Sequence, residues 1–343
     1  MICFFLIVIG VMIMTIYFKN KKIKTIYKGS TEIKKIYKGG ELVYQKGGAV
    51  ILLYSEGGQG AGISKDGLNW EKVVLPTTDT YNIKIVNNRI LAIKTDGTEL
   101  YETKDFINWN FIGNISKNFS YKGSLTGNDD LFYLNGYYIH SIYNSASWEK
   151  STDLVNWESY TGCKTLYGGY NIASNEEDKA VYSDVGPLAG GDRSSAYTVN
   201  GGESWVVLNN SIIRGPVLYL NGLFCFNYDG YIYYSSNGIN WTYTYFDSNA
   251  TLTSFCNGKY FAFSTTKGWY SEDLINWTEF SIPSENSSWF IRQVCYLNGK
   301  YIYLYCDTNA VPHICFSDDG INWVQQTTNI SDVGVLEGRF YIY

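Results

Sequence analysis

Four carboxylates, Glu176, Glu177, Asp178 and Asp192, fall within one polar stretch of the chain. Two carboxylates about 5–9.5 Å apart can split a glycosidic bond, one as acid and the other as base or nucleophile. This stretch could supply such a pair, although acidic groups in loops are usually solvated. Other chemistry is thinly represented. Only His140 and His313 occur, each among alternating apolar residues as in a strand, which supports neither a Ser-His-Asp arrangement nor a His-based zinc site. Seven cysteines, Cys3, Cys163, Cys225, Cys256, Cys295, Cys306 and Cys315, show no CxxC spacing, and several sit in apolar runs such as LFCF and YIYLYC. They read as free buried thiols rather than a disulfide framework, implying synthesis in a reducing compartment. No metal and no cofactor is expected.

Composition narrows the elements that hold these groups. With 32 Tyr, 10 Trp and 17 Phe but only 5 Pro in 343 residues, and no long Ala/Glu/Lys/Leu stretch, the chain reads as sheet. A net charge of −5 leaves no basic footprint for nucleic acid.

The repeats organise everything else. SKDGLNW, TKDFINW, STDLVNW, TVNGGESW, SSNGINW, SEDLINW and SDDGINW are one motif written seven times, ending on Trp70, Trp109, Trp157, Trp205, Trp241, Trp277 and Trp323. The spacings of 39, 48, 48, 36, 36 and 46 residues match four-stranded propeller blades. Asn-Gly pairs at 135, 221, 257 and 298, with Asn87-Asn88 and Gly168-Gly169 as variants, lie between apolar runs, a strong signal for a type I′ hairpin. Each unit therefore reads as strands a–b closed by Asn-Gly and strands c–d closed by the motif. In the motif, a Ser or Thr followed by Asp66, Asp105, Asp153, Asn200, Asn237, Asp273 or Asp319 supplies short side chains that bond the backbone of a tight turn. Each Trp then enters strand d to fill the gap between blades.

At these residues the chain resembles the Asp-box repeat family known from sialidases, whose pattern is Ser/Thr-x-Asp-x-Gly-x-x-Trp. TVNGGESW keeps that spacing, and the other six copies are one residue shorter. The resemblance covers residues from about 45 to 330. It implies an all-β, seven-bladed propeller of four-stranded antiparallel blades, preceded by a short N-terminal apolar segment and a β-hairpin lead-in. Function does not transfer with it, because in that family these boxes are not the catalytic elements. A sialidase grips its substrate carboxylate with clustered arginines. Here there are five, Arg89, Arg193, Arg214, Arg292 and Arg339, with Arg89 and Arg339 away from the variable loops, and the family's Arg-Ile-Pro signature is absent. The terminal VLEGRFYIY pairs with blade one to close the ring, or else opens a truncated eighth blade; closure removes an exposed edge.

Three domains are expected: residues 1–20, 21–46 and 47–343. In the first, the apolar run 2–18 followed by basic residues reads as a membrane anchor or as codons upstream of a start at Met14. In the second, IKTIYKGS, IKKIYKGG and LVYQKGG form a basic repeat that resembles lead-in segments of bacteriophage tail and surface proteins, and reads equally as an edge hairpin. In the third, the a–b and c–d turns share a uniform face, while the b–c and d–a connections vary in length on the other. The variable features are a b–c insert at 175–195 and d–a loops near 113–130 and 281–291. Variable loops on a rigid scaffold carry binding residues. The candidates are Tyr121, Asp129, Asp130, Tyr143, Glu176, Glu177, Asp178, Asp192, Arg193, Tyr228, Asp229 and Trp289. The expected function is non-catalytic recognition of a glycan or surface protein of a host cell, on a virion tail or surface or a bacterial cell surface. A membrane is met only through residues 2–18. The alternative is a glycoside hydrolase of sialidase-like propeller type.

Overall fold

The computed structural model describes residues 60–77, 81–87, 89–94, 99–115, 131–141, 148–161, 171–183, 194–209, 213, 216–247, 250–264, 266–282, 287–307 and 311–330, together with backbone strands between 17 and 54 and at 339–342. They fall into two units, Met1–Ala49 and Val50–Tyr343. In the first, antiparallel pairs join Tyr17–Phe18 to Lys21–Lys22, Ile26–Lys28 to Thr31–Ile33, and Lys35–Lys38 to Glu41–Gln45. The remainder of the apolar run 2–18 lies outside the described residues.

The second unit is a seven-bladed propeller of four-stranded antiparallel sheets, each a meander a–b–c–d. Strand b has a neighbouring blade on both of its faces, so its sequence is apolar without alternation. In blade 2, Ile90, Leu91, Ala92 and Ile93 are all fully buried, as are Phe224, Cys225 and Phe226 in blade 5 and Phe261, Ala262 and Phe263 in blade 6. Adjacent blades meet in successive apolar clusters; between blades 4 and 5, for example, Ala173 and Val181 pack on Val217, Phe224 and Phe226. Burial raises the thiols of Cys225, Cys256 and Cys315 to about 12. These three and Cys295 are free.

The motif builds the c–d turn from side-chain oxygens. In blade 1, the Ser64 hydroxyl accepts from Gly67 N at 2.8 Å, and Asp66 Oδ1 accepts from Leu68 N and Asn69 N, both at 2.8 Å. Asp66 Oδ2 takes the Asn69 amide at 2.8 Å. Thr103/Asp105, Ser151/Asp153, Ser271/Asp273 and Ser317/Asp319 repeat this pattern, and Asn237 keeps the two backbone bonds at 2.9 Å. The residue after the Asp or Asn turns left-handed: Gly67, Gly238 and Gly320 in three blades, but Phe106, Leu154 and Leu274 in three others. A left-handed leucine or phenylalanine is strained by roughly 1–2 kcal/mol. It persists because the side chain is buried in the inter-blade core, Leu154 and Leu274 at 0% exposure and Phe106 at 5%. Where the residue is glycine, the neighbouring blade fills the slot, so that a Cβ on Gly67 would come within 2.9 Å of Ile302 and Phe316.

The tryptophans require a correction. Trp70 is buried at 4% exposure, but the other six are only half-buried. They pack against the inter-blade clusters with part of each indole open to solvent. Trp70, Trp157, Trp241 and Trp277 donate to the carbonyl of their own left-handed residue at 3.1–3.2 Å. Trp109 donates instead to Val74 O at 2.6 Å, and Trp205 to the Tyr160 hydroxyl at 2.8 Å, both in the preceding blade.

The ring closes as the terminal hairpin suggests. Arg339–Ile342 is strand a of blade 1, pairing with Ile51–Tyr54. The Asn329 side chain clasps Trp70 N and O at 2.8 and 3.0 Å, and Asn298 of blade 7 donates to Lys65 O at 2.9 Å.

Leu154→Ala empties a fully buried slot and should lower stability by about 2–5 kcal/mol, measured by denaturant titration. Hydrogen bonds to the motif carboxylates give the second expectation. Burial pushes Asp66 up, but donation from Asn69, Leu68 and Ser64 prevails and holds it at about 2. Donors led by the backbone of Asn108, Asn156, Asn276 and Asn322 hold Asp105, Asp153, Asp273 and Asp319 lower still. An unfolded Asp titrates near 3.9, so between that value and the folded ones the unfolded chain binds more protons. This stability is complete above about pH 4 and is lost as pH falls toward the folded values. Melting temperature should therefore drop steeply below about pH 4, and Asp→Asn at these five positions should flatten that limb.

Candidate functional site

The structure separates the residues proposed from sequence. Strands Asn171–Ser174 and Ala180–Ser183 pair directly. Glu176, Glu177 and Asp178 thus occupy the a–b turn of blade 4, on the face of the motif turns, rather than a b–c insert. The b–c connection of that blade is shorter than expected, 184–193, and with Asp192 and Arg193 lies outside the described residues. So do Tyr121, Asp129, Asp130 and Tyr143. Trp289 lies within strand a of blade 7, Ser287–Leu297, and not in a d–a loop. Tyr228 and Asp229 do sit at a b–c connection: Asp229-Gly230 forms a tight turn with φ of 50° and 81° between Leu223–Tyr228 and Tyr231–Ser235.

The acidic turn of blade 4 is organised by Asn175. Its Oδ1 accepts from the backbone of Glu177, Asp178 and Lys179 at 2.8–3.1 Å, and its amide donates to Asp178 Oδ1 at 2.9 Å. Glu176 takes the left-handed conformation at φ 66°, and Asn135 N of blade 3 donates to its carbonyl at 3.3 Å. Inner strands of blades 2 to 5 here line a cavity of ≈ 230 Å³ with Lys84, Tyr133, Ser174, Glu176 and Tyr219 among its walls. Burial, and then the charges of Glu177 and Asp178, raise the Tyr219 phenol. Among the described residues, no cluster of three His, Cys, Asp or Glu is placed to hold a metal ion.

The histidines are strand residues. His140 is fully buried with Nδ1 2.8 Å from Glu149 Oε1 on the adjacent strand. Burial depresses its imidazole, Glu149 opposes that, and Lys84 adds to it. Arg89 is committed to a two-pronged bond with Glu102, at 2.7 and 2.9 Å.

Beside Tyr228 lies a feature the candidate residues do not include. Tyr231 and Tyr233 in strand c of blade 5, paired with Tyr245 and Tyr243 in strand d, project from one side of the sheet. The alternation in YIYY and TYTY is the sequence signal for it, since residues two apart share a face. Tyr243 and Tyr245 are 61% and 66% exposed. Tyr231 meets both edge-on at 5.6 and 5.4 Å, and Tyr233 meets Tyr243 at 5.5 Å. Beneath them Tyr233 stacks on buried Phe226 at 4.7 Å, and Phe226 meets Trp241 at 5.0 Å. In blade 6 the positions of Tyr231 and Tyr243 carry an ion pair instead, Lys267–Glu279 at 2.9 Å. Exposed aromatic rings fixed by buried ones form a rigid surface with apolar faces and hydroxyl rims, suited to the C–H faces of sugars or to apolar side chains.

No protein-family model matches the chain, and no curated protein matches it in sequence. Solved structures of other propellers do match in fold. A streptogramin B lyase superposes with a TM-score of 0.52 at 11% identity, over 76% of this chain and 87% of that one. YCF48 bound to D1 peptide gives 0.51 at 14%, over 75% and 86%. AztD from Citrobacter koseri in its apo form gives 0.52 at 8%, over 86% and 97%. At such identities the likeness concerns the fold alone.

Melting should separate the rings that form this surface from the rings that hold it. Tyr243→Ser and Tyr245→Ser should stay within about 0.5 kcal/mol of wild type, as exposed substitutions do. Tyr233→Ala, which strips the stack from Phe226, should be clearly destabilising.

Proposed function

We propose that this chain is a recognition propeller that holds a glycan or a surface protein of a host cell without turning it over. The observation that carries the proposal is the four-tyrosine surface of blade 5, continuous with Tyr228 and Asp229 at a b–c connection. Aromatic residues dominate binding surfaces because they give large contact area at small entropic cost. A propeller of the same fold solved with a peptide, YCF48 with D1 peptide, supports the use of this scaffold for protein recognition. The motif resemblance to Asp-box proteins and the basic repeats ahead of the propeller support placement on a virion tail or a bacterial cell surface.

A glycan array probed with the whole chain, together with binding to intact bacterial cells, tests the reading, each scored for retention and for release of cleaved product. Retention without cleavage is expected, and the Tyr243→Ala/Tyr245→Ala double variant should bind at least tenfold more weakly, equivalent to about 1.4 kcal/mol. Undiminished binding by the double variant would move the site elsewhere, and cleaved product would show an enzyme.

A further inference from the structure

The motif turns also carry a charge pattern. The second residue of each motif is exposed, and in blade order these are Lys65, Lys104, Thr152, Val199, Ser236, Glu272 and Asp318. The series runs from two cations through three neutral residues to two anions. Near each tip stands a branched aliphatic side chain: Leu68, Ile107, Val155, Ile239 and Ile275 are 37–65% exposed and Ile321 is half-buried. In the longer turn of blade 4 that position is Glu203, and Val199 supplies the aliphatic group at 40% exposure. Turn tips that meet only water favour Gly, Asn, Asp and Ser. Branched aliphatic residues repeated around one face of a ring are a surface that gains from being covered.

We propose that this face is a homodimer interface, two copies meeting face to face about a twofold axis that lies in the face. The charge order selects the axis. In a ring of seven blades, an in-plane twofold axis through blade 4 passes between blades 7 and 1. It lays blade 1 over blade 7 of the second copy, blade 2 over blade 6, blade 3 over blade 5, and blade 4 over itself. Lys65 then faces Asp318, Lys104 faces Glu272, Thr152 faces Ser236, and Val199 faces its own copy. The aliphatic tips pair as Leu68 with Ile321, Ile107 with Ile275, and Val155 with Ile239. Any other in-plane twofold axis leaves at least one of the two lysines without an acidic partner. The second copy of this chain is thus the occupant that the face fits, through an isologous contact.

Charges nearby qualify the strength of each pair. Asp318 already holds Lys300 of its own blade, and the Lys259 ammonium sits on Asp319 O at 2.6 Å. The Lys104–Glu272 pair therefore contributes more than Lys65–Asp318. The motif aspartates recur in five blades and are bonded within their own turns, so they do not set the direction of the pattern. The acidic turn of blade 4 lies on the axis and opposes itself, with Lys179 3.9 Å from Asp178 as a partial counter-charge. That contact is unfavourable, and relieving it should tighten the dimer.

Sedimentation velocity of the full chain over a concentration series is the test, with charge reversal as its control. Wild type should dimerise. Lys65→Glu with Lys104→Glu makes the charged second residues of the motifs all acidic, and Glu272→Lys with Asp318→Lys makes them all basic. Each of these double variants should weaken self-association at least tenfold while melting like wild type. An equimolar mixture of the two should form a heterodimer, which misfolded variants could not do, and the chain carrying all four reversals should dimerise again. Glu177→Gln should strengthen the wild-type dimer. A wild type that stays monomeric throughout, a dimer indifferent to both reversals, or a mixture that does not reassociate overturns the proposal.

Discussion

The propeller depends on a substitution of side-chain oxygens for backbone acceptors in the c–d turn. One hydroxyl and one carboxylate or amide oxygen satisfy three consecutive backbone N–H groups, as Ser64 and Asp66 do for Gly67, Leu68 and Asn69. That leaves the carbonyl of the left-handed residue to receive an indole N–H, as it does from Trp70, Trp157, Trp241 and Trp277. The left-handed residue itself points into the neighbouring blade. Glycine at Gly67 is complemented by Ile302 and Phe316 across the gap, while Leu154 and Leu274 fill the gap themselves. Each turn is thus matched in volume to the blade beside it. The copies are not interchangeable despite their near-identical sequences, as expected of interiors packed to crystal-like density.

What was legible in the sequence is what is local and periodic. The motif and the Asn-Gly turns each depend on residues close together in the chain, and their seven-fold recurrence leaves a spare terminal strand, Arg339–Ile342, which the structure shows closing the seven blades. Blade 4 was misread for a physical reason. Its a–b turn has no Asn-Gly. Asn175 bridges three backbone groups and a glutamate, Glu176, takes the left-handed position, so the turn signal at Gly168-Gly169 was assigned in its place. The error carried Glu176 and Glu177 to the wrong face. Trp289 reads as loop because it follows the polar run SENSS, and the strand it belongs to pairs irregularly between Ser287 and Arg292. The tyrosine surface was overlooked because the aromatic residues of YIYY and TYTY look like ordinary strand content. Only the pairing of Tyr231 with Tyr245 and of Tyr233 with Tyr243 brings them to one side.

Blade 5 shows how function can be added to a repeat without disturbing it. Much of the outer strands faces solvent, as the exposure of Phe111, Val206 and Val324 in other blades indicates. Their side chains are accordingly free to vary. Blade 6 uses two of those positions for the Lys267–Glu279 pair, which contributes little when solvated. Blade 5 uses them for four tyrosines supported from below by Phe226 and Trp241.

Closure through Arg339–Ile342 and Ile51–Tyr54 makes blade 1 the most non-local element of the unit, since its inner strand is separated from its partner by nearly the whole propeller. Loop-closure entropy grows only slowly with length, so the equilibrium penalty is modest. The kinetic consequence is larger, because contacts of high sequence separation slow folding. Until synthesis reaches the last strand, the strand at Ile51–Tyr54 is an unpaired edge of the kind that templates association between chains. The nascent protein is therefore most vulnerable to aggregation at its first blade, and this hazard is removed only when Arg339–Ile342 has been made and has paired there.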